Sequence, residues 1–250
     1  MRVIAVANQK GGVAKTTTAV NLAAGFATNH RVLLIDLDPQ ANATETMPIN
    51  VDDLENSSVV EVLTKAKTVE EVAQRLGKKL AIVPSHIKLA RLEPSLVGPV
   101  DAYRLKEAVE ALDYDFVVVD CPPSLGPLTT NALIAATDVI VPVKPAFFGL
   151  SAVTDFMETV RQVKTRLNPD LKVLGILVTL HDARTSIARG VIEALSNEYG
   201  DLLFKTRVTI NVQLDEAASA RQSIFKYDPK SSGARNYSAV LAEVYERVGR

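Results

Sequence analysis

The stretch that most limits how this chain can fold is an apolar run, Val3-Ile4-Ala5-Val6-Ala7, followed closely by Lys10-Gly11-Gly12-Val13-Ala14-Lys15-Thr16-Thr17. A strand that ends in a glycine turn and continues as a helix points several backbone N–H groups at one spot. The helix N-terminus adds the positive end of its dipole there. Lys15 brings an ammonium to the same spot, and the Thr16 hydroxyl can ligate Mg²⁺. Residues Lys10, Gly11, Gly12, Val13, Ala14, Lys15, Thr16 and Thr17 are therefore expected to cradle phosphate, as in a nucleoside triphosphate site. The strict loop pattern G-x-x-x-x-G-K-[ST] is not met, because Gln9 and Ala14 stand at its two glycine positions. The chain has the deviant form K-G-G-x-x-K-[ST], with Lys10 as a second lysine at the mouth. A Cβ at Ala14 restricts the backbone where glycine would turn freely.

The rest of the sequence predicts an α/β fold. Short strands are expected at 2–8, 31–36, 80–83, 115–120, 139–143 and 173–179, with a weaker one at 203–208. Helical patterns cover 16–28, 58–65, 68–76, 101–112, 124–136, 149–167, 184–199 and 236–248. Thr68 and Glu71 form a capping-box pattern. Runs such as Val117-Val118-Val119 and Val139-Ile140-Val141 are apolar at every position, as in parallel strands covered on both faces. Alternating strands and helices imply right-handed crossovers and a doubly wound, mostly parallel sheet with helices on both sides. No linker, repeat or low-complexity tract divides residues 1–250, so one domain is expected. Ligands in such folds sit beyond the carboxyl ends of the strands.

Two of those ends carry carboxylates. One reads Asp36-Leu37-Asp38-Pro39-Gln40 and the other Asp120-Cys121-Pro122-Pro123-Ser124. Asp120 follows an apolar strand, where a carboxylate can hold Mg²⁺ through water. Thr16, Asp120 and Asp36 are the candidate metal set. Asp36 and Asp38 lie two apart and point the same way from an extended chain. One can support the metal shell and the other can orient the attacking water. Pro122 and Pro123 stiffen the turn after Asp120.

Composition excludes several classes. Net charge is −1, so no overall field favours nucleic acid or membrane, and any basic patch is local. The single cysteine, Cys121, permits neither an internal disulfide nor a multi-cysteine metal site. Cytoplasmic residence is expected, since the first strand leaves no room for a leader and no run of about 18 apolar residues exists.

These pieces together resemble the ParA/MinD family of deviant Walker ATPases, nearest the ParA/Soj branch of partitioning proteins. Besides the loop and the two carboxylate turns, Asp182-Ala183-Arg184-Thr185 and Tyr227-Asp228-Pro229-Lys230-Ser231 carry the likeness, which runs over nearly the whole chain. The resemblance implies a homodimer with two ATP molecules between its subunits, Mg²⁺ as cofactor, and Lys10 reaching the nucleotide of the other subunit. Lys10, Lys15 and Asp38 would be the catalytic groups, with Asp38 positioning the water. A cation supplied from the second subunit can offset charge on the transferred phosphoryl group, as an arginine finger does.

The resemblance also implies ATP-dependent, sequence-independent DNA binding, a ParB-like activator and residence on the nucleoid, with a chromosome, a plasmid or, alternatively, a protein assembly as the cargo that is positioned. Residues 203–235 hold six basic and three acidic side chains, a local net charge of +3. Arg184, Arg189, Arg221, Lys226, Lys230 and Arg235 are the candidate phosphate contacts. The chain departs from the family at Thr209-Ile210-Asn211-Val212-Gln213-Leu214, where Asn211 is a candidate nucleotide-binding residue. It departs again at Ala217-Ala218-Ser219-Ala220-Arg221-Gln222. Two common arginines are missing, and Arg221 stands at a new place.

Four other readings compete with this one. A membrane-cycling ATPase needs a basic amphipathic extension, but the apolar stripe Tyr237, Val240, Leu241, Val244 and Val248 reads as core packing. No stable membrane association is therefore expected. A cluster-bearing reductase needs two cysteines per subunit. A synthetase or kinase would need an acceptor site that no motif marks. A scaffold that binds nucleotide without hydrolysing it would not need Lys15, Thr16, Asp38 and Asp120 all intact.

Overall fold

Strands apolar at every position need a helical layer on each side, and the computed structural model provides both. It describes residues 1–52 and 54–249. The strands are β1 (Arg2–Val6), β2 (Val32–Asp36), β3 (Gln74–Arg75), β4 (Leu80–Val83), β5 (Phe116–Asp120), β6 (Asp138–Val143) and β7 (Lys172–Val178). They form one sheet in the order β3-β4-β2-β5-β1-β6-β7. Every neighbouring pair is parallel except the short edge pair β3–β4. The expected doubly wound α/β sheet is the one observed.

The first helices in chain order are α1 (Lys15–Phe26), α2 (Asn42–Glu45), α3 (Val59–Leu63), α4 (Val69–Val72), α5 (Leu89–Leu92) and α6 (Arg104–Val109). The others are α7 (Pro127–Ala135), α8 (Gly149–Arg166), α9 (Ser186–Tyr199), α10 (Val212–Ser219), α11 (Ile224–Tyr227) and α12 (Ser232–Val248). Side chains alternate along each strand and sort the core into two layers. Val3, Ala5, Leu33, Ile35, Val117 and Val119 pack beneath α3 to α9. Ile4, Val6, Val32, Leu34, Phe116 and Val118 pack beneath α1, α2 and α10 to α12. The chain crosses to β2 through α1 on one face and from β5 to β6 through α7 on the other. The crevice for a ligand therefore opens at the carboxyl end of β1, between β5 and β6.

Three contacts fix α1 above that crevice. The Phe26 ring stacks on Phe116 of β5 with centroids 4.3 Å apart and planes within 5°. Gly25 lets α12 close in, because a Cβ there would come within 2.1 Å of Leu241 Cδ1. At the other end of α1, the Thr18 hydroxyl lies 3.0 Å from the buried Tyr237 hydroxyl of α12.

The structure redraws several expected elements. The span 68–76 is helical only at Val69–Val72. Its capping box at Thr68 and Glu71 is present, but the chain turns extended at Ala73 and runs as β3 against β4. The span 203–208 is not a ladder strand. Phe204 N–H donates to Ile176 and Val208 N–H to Val178, but the N–H groups of Lys205 and Thr206 turn to the Glu243 carboxylate instead. The helix expected at 236–248 begins at Ser232, capped by the Ser231 hydroxyl. The span 101–112 is a short 3₁₀ turn at Asp101–Tyr103 that leads into α6. Among the described residues no helix is long and apolar enough to cross a membrane.

Candidate functional site

The glycine turn leaves β1 and enters α1 at Lys15. Gly12 has φ +67°, a left-handed conformation that suits glycine. Ala14 has φ 58° and ψ 37°, so an alanine occupies the left-handed pocket where the strict pattern has glycine. The rest of the loop is pinned from behind. Thr179 Oγ1 donates to the Val13 carbonyl at 2.9 Å, and Thr18 Oγ1 donates to the Ala14 carbonyl at 2.7 Å. The buried Asn8 donates to the Pro142 carbonyl of β6 at 2.7 Å and accepts from Lys10 N–H at 3.0 Å. Gly11 and Gly12 face solvent inside this frame. Their outer side is thus left open for an anion.

Lys15 is buried, and its Nζ donates to the Lys10 carbonyl at 2.9 Å. Burial lowers its pKa, while the carboxylates of Asp120 and Asp38 act the other way. Lys10 is only half-buried, with its Nζ 5.4 Å from the centre of the Phe148 ring.

Asp36 and Asp120 end adjacent parallel strands as register partners, and Val6, at the end of β1, is the other partner of Asp120. Both carboxylates are fully buried. Asp36 is satisfied by the chain itself. Its Oδ2 accepts from Thr44 N–H at 2.8 Å and Thr44 Oγ1 at 2.7 Å, and its Oδ1 accepts from Asp38 N–H at 3.1 Å. Asp120 is not: neither oxygen meets a donor in good hydrogen-bond geometry among the described residues, and the Thr16 side chain is a nearby donor that stops short of it. Burial raises the Asp36 pKa to about 6, with the Thr44 and Asp38 donors opposing. Burial, then the Asp36 charge, raises that of Asp120 well above the usual carboxylate range, with the nearby Thr16 side chain opposing. Asp38, also buried, is raised by burial and held back by the Gln40 N–H and Lys15. Cys121 is buried, and burial pushes its thiol up, away from the reactive thiolate.

A buried carboxylate with both oxygens unpartnered, next to a threonine at a helix start, suits a hydrated divalent cation. Among the described residues no cluster of three or more His, Cys, Asp or Glu side chains forms a protein-only metal cage. Mg²⁺ does not need one, since it keeps several waters. Thr16 and Asp120 are the groups that would hold it. Asp36, the third member of the candidate metal set, has its oxygens engaged by the chain and so fits a supporting place in the metal shell. With both oxygens engaged, it braces Asp38 and Thr44 around the ion's place.

Thr44 and Ser85 had no signature in the sequence. Thr44 Oγ1 accepts from Ser85 N–H at 2.8 Å while donating to Asp36, and Ser85 Oγ donates to the Asp38 carbonyl at 2.7 Å. The turn that brings Thr44 back to Asp36 passes through Ala41 at φ 56°. Beyond it opens a cleft of about 860 Å³. Its lining includes Gln40, Asn42, Ser85, His86, Ser219 and Arg221.

Asn211 lies at the N-terminus of α10, where its Nδ2 donates to Ser232 Oγ while its buried Oδ1 has no partner among the described residues. The candidate DNA contacts fall into two groups on opposite layers. Arg184 and Arg189 lie at and on α9, whose apolar residues join the α3–α9 layer. Arg184 already forms an ion pair with Asp182 at 2.8 Å. Arg221, Lys226, Lys230 and Arg235 are exposed around α10, α11 and the start of α12, on the other layer.

Residues 1–173 match the family described as AAA domain. The chain is 41% identical over 247 residues to the sporulation initiation inhibitor protein Soj of Bacillus subtilis, covering 97% of this chain and 98% of that protein. A solved structure of cobyrinic acid a,c-diamide synthase from Mycobacterium smegmatis, with bound ADP and magnesium, is 38% identical with a TM-score of 0.82, covering 100% of this chain and 96% of that one. McdA of Cyanothece shares the fold over the full length of both chains, with a TM-score of 0.89 at 19% identity.

Proposed function

This chain belongs to the ParA/Soj family of partitioning ATPases, and on that premise we propose that it is a Mg²⁺-dependent ATPase that switches between monomer and DNA-bound homodimer. The observation that carries the reading is the buried, unpartnered carboxylate of Asp120 beside Lys15 at the mouth of the glycine turn. In this reading the N–H groups of residues 11–16 hold the triphosphate. The Lys15 ammonium leaves the Lys10 carbonyl for phosphate oxygens. When bound, Mg²⁺ supplies charge neutralisation on the phosphates. Asp38, braced through Asp36, Thr44 and Ser85, orients the attacking water and takes up its proton. A carboxylate with a raised pKa suits that work. Lys10 acts on the nucleotide of the second subunit, so turnover depends on dimer formation. ATP drives the switch only if it favours the dimer differentially.

The ATP dimer binds duplex DNA through phosphate contacts, and a ParB-like partner stimulates hydrolysis, which returns the protein to the weakly binding monomer. The protein would reside on the nucleoid and move chromosomal or plasmid DNA. Size-exclusion chromatography with Mg·ATP, Mg·ADP or no nucleotide, each with and without duplex DNA, tests the scheme. It predicts a dimer and a DNA shift with Mg·ATP alone. A monomer with Mg·ATP, even in a variant that cannot hydrolyse it, overturns it.

The cleft beside the Asp38 turn favours a second reading, phosphoryl transfer to a small-molecule acceptor. Product analysis separates the two, since free phosphate supports the partitioning ATPase and a phosphorylated metabolite supports the transferase.

A further inference from the structure

The cleft of about 860 Å³ beside the Asp38 turn has the size that usually holds a small molecule. It opens beyond the carboxyl ends of β2 and β4, the edge at which a doubly wound sheet receives ligands. In the sheet order β2 and β5 stand between β4 and β1, and none of residues 10–17 belongs to the described lining. The cleft is therefore a place apart from the phosphate cradle. Its lining is mixed. Val51, Leu54 and Ile87 supply an apolar part, with Val51 and Ile87 53% and 59% exposed. Gln40, Asn42, His86 and Arg221 supply N–H donors. The His86 Nδ1 accepts from Lys88 N–H at 3.3 Å, so Nε2 is the donor of that ring.

Arg221 stands out among these residues. It follows α10 with φ 53°, a left-handed conformation that is costly for a residue with a Cβ and free for glycine. Strained positions of this kind gather at ligand clamps. The side chain is exposed, and among the described residues its guanidinium has no ion pair or hydrogen bond. Glu45 is the one acid of the described lining, and it too is exposed and unpaired among the described residues. Two opposite charges thus line one cleft without meeting.

We infer that this cleft binds a small carboxylate with an apolar body, its carboxylate on Arg221 and its body against Val51, Leu54 and Ile87. A guanidinium can offer a carboxylate two parallel N–H groups in one plane. One arginine matches one negative charge. A phosphate dianion would bring a second charge, for which the described lining holds no further Lys or Arg, and Glu45 would repel it. Thr44 and Ser85, both buried, lie in the same lining and hold Asp36 and the Asp38 carbonyl. A ligand seated there rests on the brace of Asp38. It would bind whether or not it accepts a phosphoryl group, so the site stands apart from both readings above.

The test uses the full chain saturated with Mg·ADP, which fills the phosphate loop, and phenylacetate as the probe, with binding followed by saturation-transfer NMR. Phenylacetate should bind in the low-millimolar range expected of so small a ligand. 2-Phenylethanol keeps the body without the charge, acetate keeps the charge without the body, and each should bind about tenfold or more weakly. Arg221→Gly removes the guanidinium and relieves the left-handed backbone. It should weaken phenylacetate binding by about tenfold or more while melting at or above the wild-type temperature, which separates loss of the contact from loss of the fold. Glu45→Gln should improve the binding of phenyl phosphate and leave Arg221 able to hold phenylacetate. Phenylacetate binding that survives Arg221→Gly unchanged overturns the inference. So does a wild-type protein that ignores phenylacetate or binds phenyl phosphate more tightly than phenylacetate.

Discussion

Asp36 and Asp120 are register partners at the ends of β2 and β5, yet the chain satisfies one and leaves the other without a donor. The asymmetry separates a brace from a ligand. It also makes Asp120 a liability when no cation is bound, because a buried charge without partners opposes folding.

Asp120→Asn should therefore raise the thermal stability of the Mg²⁺-free protein at pH 8. A carboxyl whose pKa is raised in the folded state favours folding below its unfolded value and loses that contribution as pH rises through the folded value. The gain from Asp120→Asn should shrink as pH falls through the raised folded value toward the ordinary carboxylate range. Mg²⁺ with ATP should stabilise the wild type and not the variant. Thermal melts over that pH range, with and without Mg·ATP, check this, and equal stabilisation of both proteins would remove Asp120 from the metal site.

Asp38→Ala should keep ATP binding and dimer formation while phosphate release falls by about 10²–10⁴-fold, the usual contribution of a general base. The ATP dimer should then persist on DNA. Unchanged phosphate release would take Asp38 out of the mechanism.

Lys10→Ala should bind ATP but neither dimerise nor hydrolyse it. The Lys10 backbone carbonyl that receives Lys15 survives the substitution, so the loop should keep its shape. Wild-type turnover by this variant as a monomer would sink the idea of catalysis across the interface.

Thr44→Val should destabilise the fold by about 1–3 kcal/mol, because Asp36 loses a buried donor and Ser85 N–H loses its acceptor. The melting temperature should fall by about 2–4 °C for each kcal/mol. Phosphate release should fall too, as the brace on Asp38 loosens. A variant as stable as the wild type would show that the pocket recruits other partners.

Replacing Lys226, Lys230 and Arg235 together by Glu should weaken ATP-dependent DNA binding uniformly across sequences. The slope of log affinity against log salt should fall by about one for each phosphate left without its cation. Arg184→Ala should matter less, since Asp182 already engages that guanidinium. Fluorescence anisotropy over a salt series reads both, and an unchanged slope in the triple variant would move the DNA surface elsewhere.

Much of this architecture is legible in the sequence because its signals are local. Unbroken apolar runs and the strand–glycine–helix junction name the central strands and the loop directly. Asp120 stands out because it ends such a run. What escapes is set by contacts between distant residues. Nothing in the spacing of Asp36 and Thr44 foretells their hydrogen bonds, which depend on the left-handed turn at Ala41. The apparent helix through 76 breaks because an edge of the sheet was available to pair with Gln74 and Arg75. The apparent strand at 203–208 frays because Glu243, on the last long helix, competes for its N–H groups. The short α10 and α11 carry too few turns for a periodic signal.

The position of β1 also governs how the molecule is made. Among the described residues its sheet neighbours are β5 and β6. A nascent polypeptide that has left the ribosome as far as Leu112 has built neither flank of the strand that carries the phosphate loop. Loop closure over such distances is slow, and the exposed apolar strand needs shielding in the meantime. Synthesis past Val143 is thus the earliest point at which a ligand could find its seat, so premature termination before it leaves a fragment with the whole signature motif and no capacity to use it.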